Sequence, residues 1–301
     1  MIIAVASGKG GTGKTTVAVN LALVQDSGEL QFLDCDVEEP NAHIFLKPDF
    51  RSKETVSIPV PEVDVKKCTF CGRCAEICAF NALVVLKENV MVFPELCHGC
   101  GGCAYLCPEK AITEIPRGIG TLERGTAFGF DFLKGNLNPG EAMSPPLINA
   151  VKGRIDFRKS VLIDAPPGTS CPAVTAVQGS DFCLLVTEPT PFGLNDLDLA
   201  VQVLRKLAIP AGVLINRSDI GDKRVEDYCR RESVPILMHI PWDRELARLY
   251  ARGEAIVQHS APWHDLFQKL WRRISQQLST KEFKTEQKGG EPDERGYPDQ
   301  R

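Results

Sequence analysis

Two groups of residues have the types and spacing to do chemistry. The first is Gly8-Lys9-Gly10-Gly11-Thr12-Gly13-Lys14-Thr15-Thr16, a glycine-rich loop that closes on a lysine and a hydroxyl. Gly8, Gly10, Gly11 and Gly13 let backbone N–H groups converge on phosphate oxygens, and a helix starting near Lys14 adds its positive end. Lys14 is expected to reach the β- and γ-phosphates and the Thr15 hydroxyl to ligate Mg²⁺, which makes Mg²⁺ and ATP the expected ligands. The second group is eight of the 12 cysteines, all between Cys68 and Cys107. They form two runs, Cys68-Cys71-Cys74-Cys78 and Cys97-Cys100-Cys103-Cys107, offset by 29 residues. Cysteines clustered this tightly in a reducing compartment point to a metal site rather than to disulfides.

Certain elements must position these groups. Ile2–Ser7 reads as a buried strand that enters the glycine loop, and a helix is expected from Lys14 to about Val24. Leu30–Leu33 reads as a second strand ending on Asp34-Cys35-Asp36, and this strand–loop–helix–strand order implies a parallel sheet. Val161–Ala165, Phe182–Thr187, Gly212–Asn216 and Ile236–Ile240 read as further strands, and Leu194–Leu207 as a helix. The cysteine segment interrupts this alternation. The expected organisation is therefore residues 1–58 and 118–280 as two parts of one nucleotide-binding domain, with 59–117 inserted between them. Residues 281–301 are charged, lack apolar residues to bury and are expected to be disordered.

The run from Lys9 to Thr15 resembles the deviant Walker A motif of the MinD/ParA superfamily, which includes the nitrogenase iron protein and iron–sulfur carrier ATPases. The resemblance covers Met1 to about Leu46 and Val161 to about Leu278. It implies a homodimer on ATP binding, in which Lys9 reaches the partner's ATP. Asp36, with Pro40 and Asn41 nearby, matches a first switch that positions the attacking water and contacts the Mg²⁺ shell. Asp164, followed by Ala165-Pro166-Pro167-Gly168-Thr169, matches Walker B and a second switch, where Gly168 could sense the γ-phosphate. Asn216 is implied against the adenine, and Pro241 to Asp243 closes the base pocket. Catalytic roles thus fall on Lys9, Lys14 and Asp36. Thr12 and Thr16 join the nucleotide contacts, and hydrolysis is expected to be slow and partner-stimulated.

Both cysteine runs resemble those of bacterial two-cluster ferredoxins, in which the fourth cysteine ligates the other cluster. That implies one [4Fe–4S] cluster on Cys68, Cys71, Cys74 and Cys107, and a second on Cys97, Cys100, Cys103 and Cys78. Zinc is the competing metal, but two sets of three tightly spaced cysteines exceed what it needs. Cys78 departs from the pattern, being followed by Ala79 rather than proline. The expected fold class is α/β, a P-loop domain with a mainly parallel sheet flanked by helices, plus a small ferredoxin-like α+β insert.

Cys171 follows Asp164 by seven residues, near the offset of a cluster-ligating cysteine in the nitrogenase iron protein. It reads either as a metal-cluster ligand at the dimer interface or as a small buried residue. Cys35, Cys183 and Cys229 read as packing residues. Trp263, Leu266, Phe267, Leu270, Trp271, Ile274 and Leu278 recur at helical spacing, as in a final helix docked on the sheet. A net charge of -4 argues against a general nucleic-acid surface. No apolar run reaches the ~18 residues of a membrane span. Ile2–Ala6 runs into the glycine loop rather than a cleavage site, so the cytoplasm is expected. The expected function is an ATPase that couples dimer switching to electron transfer or metallocluster assembly on a client metalloprotein or cofactor-assembly protein. An iron–sulfur carrier or scaffold, or a redox-sensing ParA-type regulator, are the alternatives.

Overall fold

In the computed structural model, residues 1–25 and 28–286 are described. The apolar runs near the N-terminus fold as β1 (Ile2–Ala6), α1 (Lys14–Leu23), β2 (Leu30–Asp34) and α2 (Ala42–Leu46). The chain then passes through β3 (Asp49–Val63), α3 (Arg73–Ile77), β4 (Leu83–Val85), β5 (Val90–Val92), α4 (Gly102–Leu106), β6 (Ile112–Ala127) and β7 (Phe130–Leu137). The remainder is α5 (Pro145–Lys152), β8 (Ser160–Asp164), α6 (Cys171–Val177), β9 (Phe182–Thr187), α7 (Pro191–Lys206), β10 (Ala211–Asn216), α8 (Arg224–Arg231), β11 (Ile236–Ile240), α9 (Arg244–Ala251) and α10 (Ala261–Glu286).

Nine strands form one sheet in the order β11-β10-β9-β1-β8-β2-β7-β6-β3. The six strands from β11 to β2 pair in parallel, as does β7 with β2. Such strands are buried on both faces, so they read as unbroken apolar runs rather than alternation. One face packs Ile163, Leu185, Leu197 and Val201, and the other packs Phe32, Leu184, Phe267 and Ile274. Phe267, Leu270 and Ile274 of α10 are buried, which is the docked final helix expected from its spacing. Among the described residues, no helix is long and apolar enough to cross a membrane.

Three features differ from the sequence expectation. β3 and β6 are long antiparallel strands, and the expected seams at 58/59 and 117/118 fall inside them. Pro59 and Pro61 argue against a strand in sequence, yet β3 is the sheet's edge, where a missing N–H costs no ladder bond. α7 begins at Pro191, three residues early, because the Thr190 hydroxyl accepts from Gly193 N–H and caps it. α10 continues to Glu286, so residues 281–286 are helical. The rest of the expected tail lies outside the described residues.

β3 and β6 form a ribbon that projects from the sheet and carries residues 64–111 at its end. Phe132 anchors the base of this ribbon. It is fully buried, stacks on Phe32 at 5.7 Å between centroids and meets Phe50 edge-on at 6.0 Å. Phe132→Ala is expected to cost about 3–5 kcal/mol of stability, read as a lower denaturant midpoint with an unchanged slope.

Candidate functional site

The phosphate loop sits between the carboxyl ends of β1, β2 and β8. Ser7, Gly10, Gly11, Gly13, Lys14, Thr15, Thr16, Asp36 and Asn41 all line one cavity of about 140 Å³. Gly13 has a φ of +91°, and a Cβ there would lie 2.6 Å from Asn216 Nδ2. That close approach lets Asn216 Nδ2 donate to the Thr12 carbonyl at 2.8 Å, tying the base-side asparagine to the loop. A second cavity of about 240 Å³ begins at the same glycines and runs between Asn216, Arg217, Pro241, Trp242, Asp243 and Tyr250. The two cavities share Gly11, Gly13, Thr16 and Tyr250 in their linings, so they adjoin along the loop.

The charges in the phosphate cavity are tightly balanced. Asp34, Asp36 and Asp164 stand at the ends of adjacent strands with a single cation, Lys14. Lys14 Nζ donates to Asp164 Oδ1 at 2.8 Å and to Asp36 Oδ2 at 3.4 Å. Burial pushes the Lys14 pKa down, but Asp164 and Asp36 more than offset this and raise it. Burial and the nearby Asp164 hold the Asp34 carboxyl well above the usual range. Asp34 shapes the first switch by accepting from Asp36 N–H at 3.3 Å and Ala42 N–H at 3.1 Å. Asp164 Oδ2 is buried with no protein partner, as is Asn41 Oδ1. An unpaired buried carboxylate oxygen beside the phosphate loop and Thr15 suits a hard divalent cation.

Three expected contacts are made differently here. Lys14 rests on the two carboxylates rather than pointing along the loop. Lys9 pairs within its own chain with Glu188 at 3.3 Å, and Glu188 also binds Arg217 at 2.6 Å. The Gly168 N–H donates to the Ser7 carbonyl at 2.9 Å, so sensing a phosphate requires that bond to exchange. Gly8 and Thr12 lie behind the cavity. Thr12 is buried, and a Cβ on Gly8 would strike the Asp196 carbonyl.

Sequence reading missed Tyr250, Leu246 and the role of Glu188. Asp243 caps α9 by accepting from Glu245 and Leu246 N–H, and Leu246 and Tyr250 then face the cavity. The signal was present as an N-cap followed by an i, i+4 apolar pair. Glu188 carries no local signal, because its partners are 179 and 29 residues away.

The cysteines of residues 64–111 sort into two sets. Cys68, Cys71, Cys74 and Cys107 line one cavity, and Cys78, Cys97, Cys100 and Cys103 line another. The fourth cysteine of each run thus stands with the first three of the other. The backbone repeats with the sequence. Phe70 and Gly99, Gly72 and Gly101, and Asn81 and Lys110 all have positive φ, each pair 29 residues apart. Phe70 and Gly99 N–H approach Cys68 and Cys97 Sγ at 3.4 Å, while Ala82 and Ala111 N–H approach Cys78 and Cys107 Sγ at 3.3 Å. Donors aimed at sulfur suit thiolate ligands, which these stabilise. Among the described residues, no three His, Cys, Asp or Glu side chains converge on a point for a single ion. Cys171 is exposed at the start of α6, which corrects the reading of a small buried residue, whereas Cys35, Cys183 and Cys229 are buried.

Burial, with the nearby Asp164 adding to it and Lys14 opposing it, raises the Asp36 carboxyl to about 6. The native state therefore holds this proton more tightly than the unfolded chain. The associated stability is full below about pH 4 and lost as pH rises through about 6. In the metal-free, nucleotide-free chain, the wild type should lose roughly 2–3 kcal/mol relative to Asp36→Asn between pH 4 and 7. Denaturant titrations across that range test it, and a constant difference would overturn it. Lys14→Met is expected to abolish nucleotide binding. It should also destabilise by about 3–5 kcal/mol by stranding buried carboxylates, measured by calorimetry and unfolding.

Residues 3–256 match the family model of the CobQ/CobB/MinD/ParA nucleotide binding domain. An uncharacterized protein of Methanocaldococcus jannaschii is 30% identical, covering 92% of this chain and 97% of its own length. A Pyrococcus horikoshii protein named as an iron-sulfur cluster carrier protein is 28% identical, covering 92% of this chain and 86% of its own. The septum site-determining protein MinD from Pyrococcus horikoshii, solved with Mg-ADP, superposes with a TM-score of 0.55 at 21% identity, covering 91% of this chain and 95% of that one. The family-model match spans most of the chain and includes its phosphate loop and strand-end carboxylates, so the chain belongs to the CobQ/CobB/MinD/ParA nucleotide-binding family.

Proposed function

We propose that the chain is an ATP-dependent iron–sulfur protein. In this reading ATP switches a homodimer, and two [4Fe–4S] clusters held by residues 64–111 pass electrons to a client metalloprotein or support metallocluster assembly on it. The observation that carries it is the sorting of eight cysteines into two four-cysteine cavities with the fourth members exchanged. That exchange is the ligand pattern of two-cluster ferredoxins. Cys68, Cys71, Cys74 and Cys107 would hold one cluster, and Cys78, Cys97, Cys100 and Cys103 the other. Bound, each supplies one-electron chemistry.

The chain's own residues supply the switch. Lys14 would leave Asp164 and Asp36 for the phosphates and free both carboxylates, which with Thr15 would hold Mg²⁺. Lys9 would exchange Glu188 for the ATP of a second copy. Gly168 N–H would exchange the Ser7 carbonyl for the γ-phosphate. Asp36 would orient water, whose oxygen bonds the γ-phosphorus as the bridging P–O bond breaks, leaving ADP and phosphate. Each exchange replaces an internal contact with one to nucleotide, so the switch is built from competing partners for the same groups.

A second reading, a carrier that hands a cluster on, is favoured by the relatives named as iron-sulfur cluster carrier proteins and by the exposed Cys171 beside the second switch. Anaerobic reconstitution should give about eight iron atoms per chain, and Cys100→Ala about four. Iron near two per chain, or none, would overturn the reading. Asp36→Ala, loaded with ATP and used as bait, should retain a metalloprotein or cofactor-assembly partner detected by mass spectrometry. Iron moving to an apo-protein, with loss from the chain and dependence on Cys171, would favour the carrier instead.

A further inference from the structure

The cavity of Cys78, Cys97, Cys100 and Cys103 lies against the ribbon that leads back to the nucleotide site. Pro59 and Pro61 of β3 and Glu114 of β6 line it. Arg117 follows three residues further along β6, paired across the ribbon with Ile58. Its neighbour Pro116 pairs with Pro59, whose carbonyl lies 3.0 Å from where a Cβ on Gly99 would stand, so Arg117 sits one residue from the cavity wall. Its guanidinium is stabilised first by Glu141, with Glu95 and Cys97 near enough to add to it. The same guanidinium forms a two-pronged bond to Glu141, at 2.5 and 3.1 Å, and its Nε is buried without a partner.

Glu141 belongs to the segment 138–144 that joins β7 to α5, and this segment grips both the ribbon and the first switch. Asn138 N–H donates to the Ile119 carbonyl at 2.9 Å and its side chain to the Gly118 carbonyl at 3.1 Å. The β3–β6 register shifts at this point, where Gly118 and Gly120 oppose consecutive residues of β3 and Ile119 bulges. At the other end of the segment, buried Ser144 donates to Glu38 at 2.9 Å, two residues beyond Asp36. Leu137 N–H donates to the Val37 carbonyl at 2.9 Å. The Ser144–Glu38 and Glu141–Arg117 bonds thus stand on one short segment, which is held by the first switch on one side and by the ribbon beside the cavity on the other.

We infer that Arg117 is a positioning residue that links the nucleotide switch to the Cys78, Cys97, Cys100 and Cys103 cavity, through Glu141, Ser144 and Glu38. The inference rests on the reading that this cavity holds a cluster. A fixed cation beside one cluster favours its more negative, reduced form and raises its potential. A shift of the first switch that moves Glu38 pulls on Ser144 and Glu141. The carboxylate then neutralises Arg117 more or less completely, and the potential of that cluster follows the nucleotide. The other cavity has no such connection through this segment.

Redox titration of the reconstituted holoprotein, followed by electron paramagnetic resonance with and without a non-hydrolysable ATP analogue and Mg²⁺, tests this. Arg117→Gln should lower the midpoint of one cluster and leave the other in place, and Arg117→Lys should restore most of the wild-type value. In the wild type the analogue should shift the same midpoint. Ser144→Ala should abolish that shift while retaining nucleotide affinity. In the cluster-free chain, hydrogen exchange at 138–144 should respond to the analogue. Unchanged midpoints in Arg117→Gln, or a shift that survives in Ser144→Ala, would overturn the inference while the iron content still upheld the two-cluster reading. A wild type that binds no clusters would overturn both.

Discussion

One ammonium group shared among three buried carboxylates is the constraint on which the nucleotide site depends. Asp34, Asp36 and Asp164 are brought together by parallel pairing of β2 with β8, which sets Asp34 opposite Asp164. Carboxylates this close and this buried disfavour one another's charged forms, which holds Asp34 and Asp36 above the usual range, and among the described residues Lys14 is the cation paired with Asp36 and Asp164. The arrangement is therefore poised. A Mg²⁺–phosphate group brings two charges of opposite sign and allows Lys14 and the carboxylates to separate onto different partners. The loop, the first switch and the second switch all hang on that balance, since Asp34 holds Asp36 and Ala42 while Gly168 rests on Ser7.

A second constraint comes from the cysteine pattern. Two four-residue runs with exchanged fourth members must face one another, so residues 64–111 fold back on themselves with approximate two-fold repetition of backbone conformation. The two halves are not equivalent in surroundings. Phe80 and His98 stack at 3.3 Å beside one cavity, whereas Glu109 and Arg73 line the other. The ribbon also meets them differently, because Pro59, Pro61 and Glu114 line the cavity that contains Cys97, whereas Val63 and Ile112 at the ribbon's end line the other. A repeated ligand framework in unlike environments is how one chain can hold two centres of different potential.

Most of the nucleotide half was legible without coordinates. Fully buried parallel strands are apolar throughout, so β1, β8, β9, β10 and β11 announce themselves, and Lys14, Asp36 and Asp164 lie at or next to strand and loop ends fixed by that pattern. The ribbon was not legible. β3 carries Arg51, Lys53 and Glu54 at one end and two prolines at the other, and only its position at the sheet edge makes that composition a strand. The seams expected at 58 and 117 therefore fall inside β3 and β6, while the early start of α7 comes from a threonine cap followed by proline.

Spacing alone marked the candidate ligand-binding residues, because loop glycines, a lysine beside a hydroxyl, and cysteines at fixed intervals act through local backbone geometry. Tertiary structure decided which charge faces which. Lys9 on Glu188, Arg217 on the same carboxylate, and Arg117 on Glu141 join residues 24 to 179 positions apart. Pairing across such separations depends on strand order and on the twist of the ribbon. Those are properties of the packed sheet, and no window of sequence contains them.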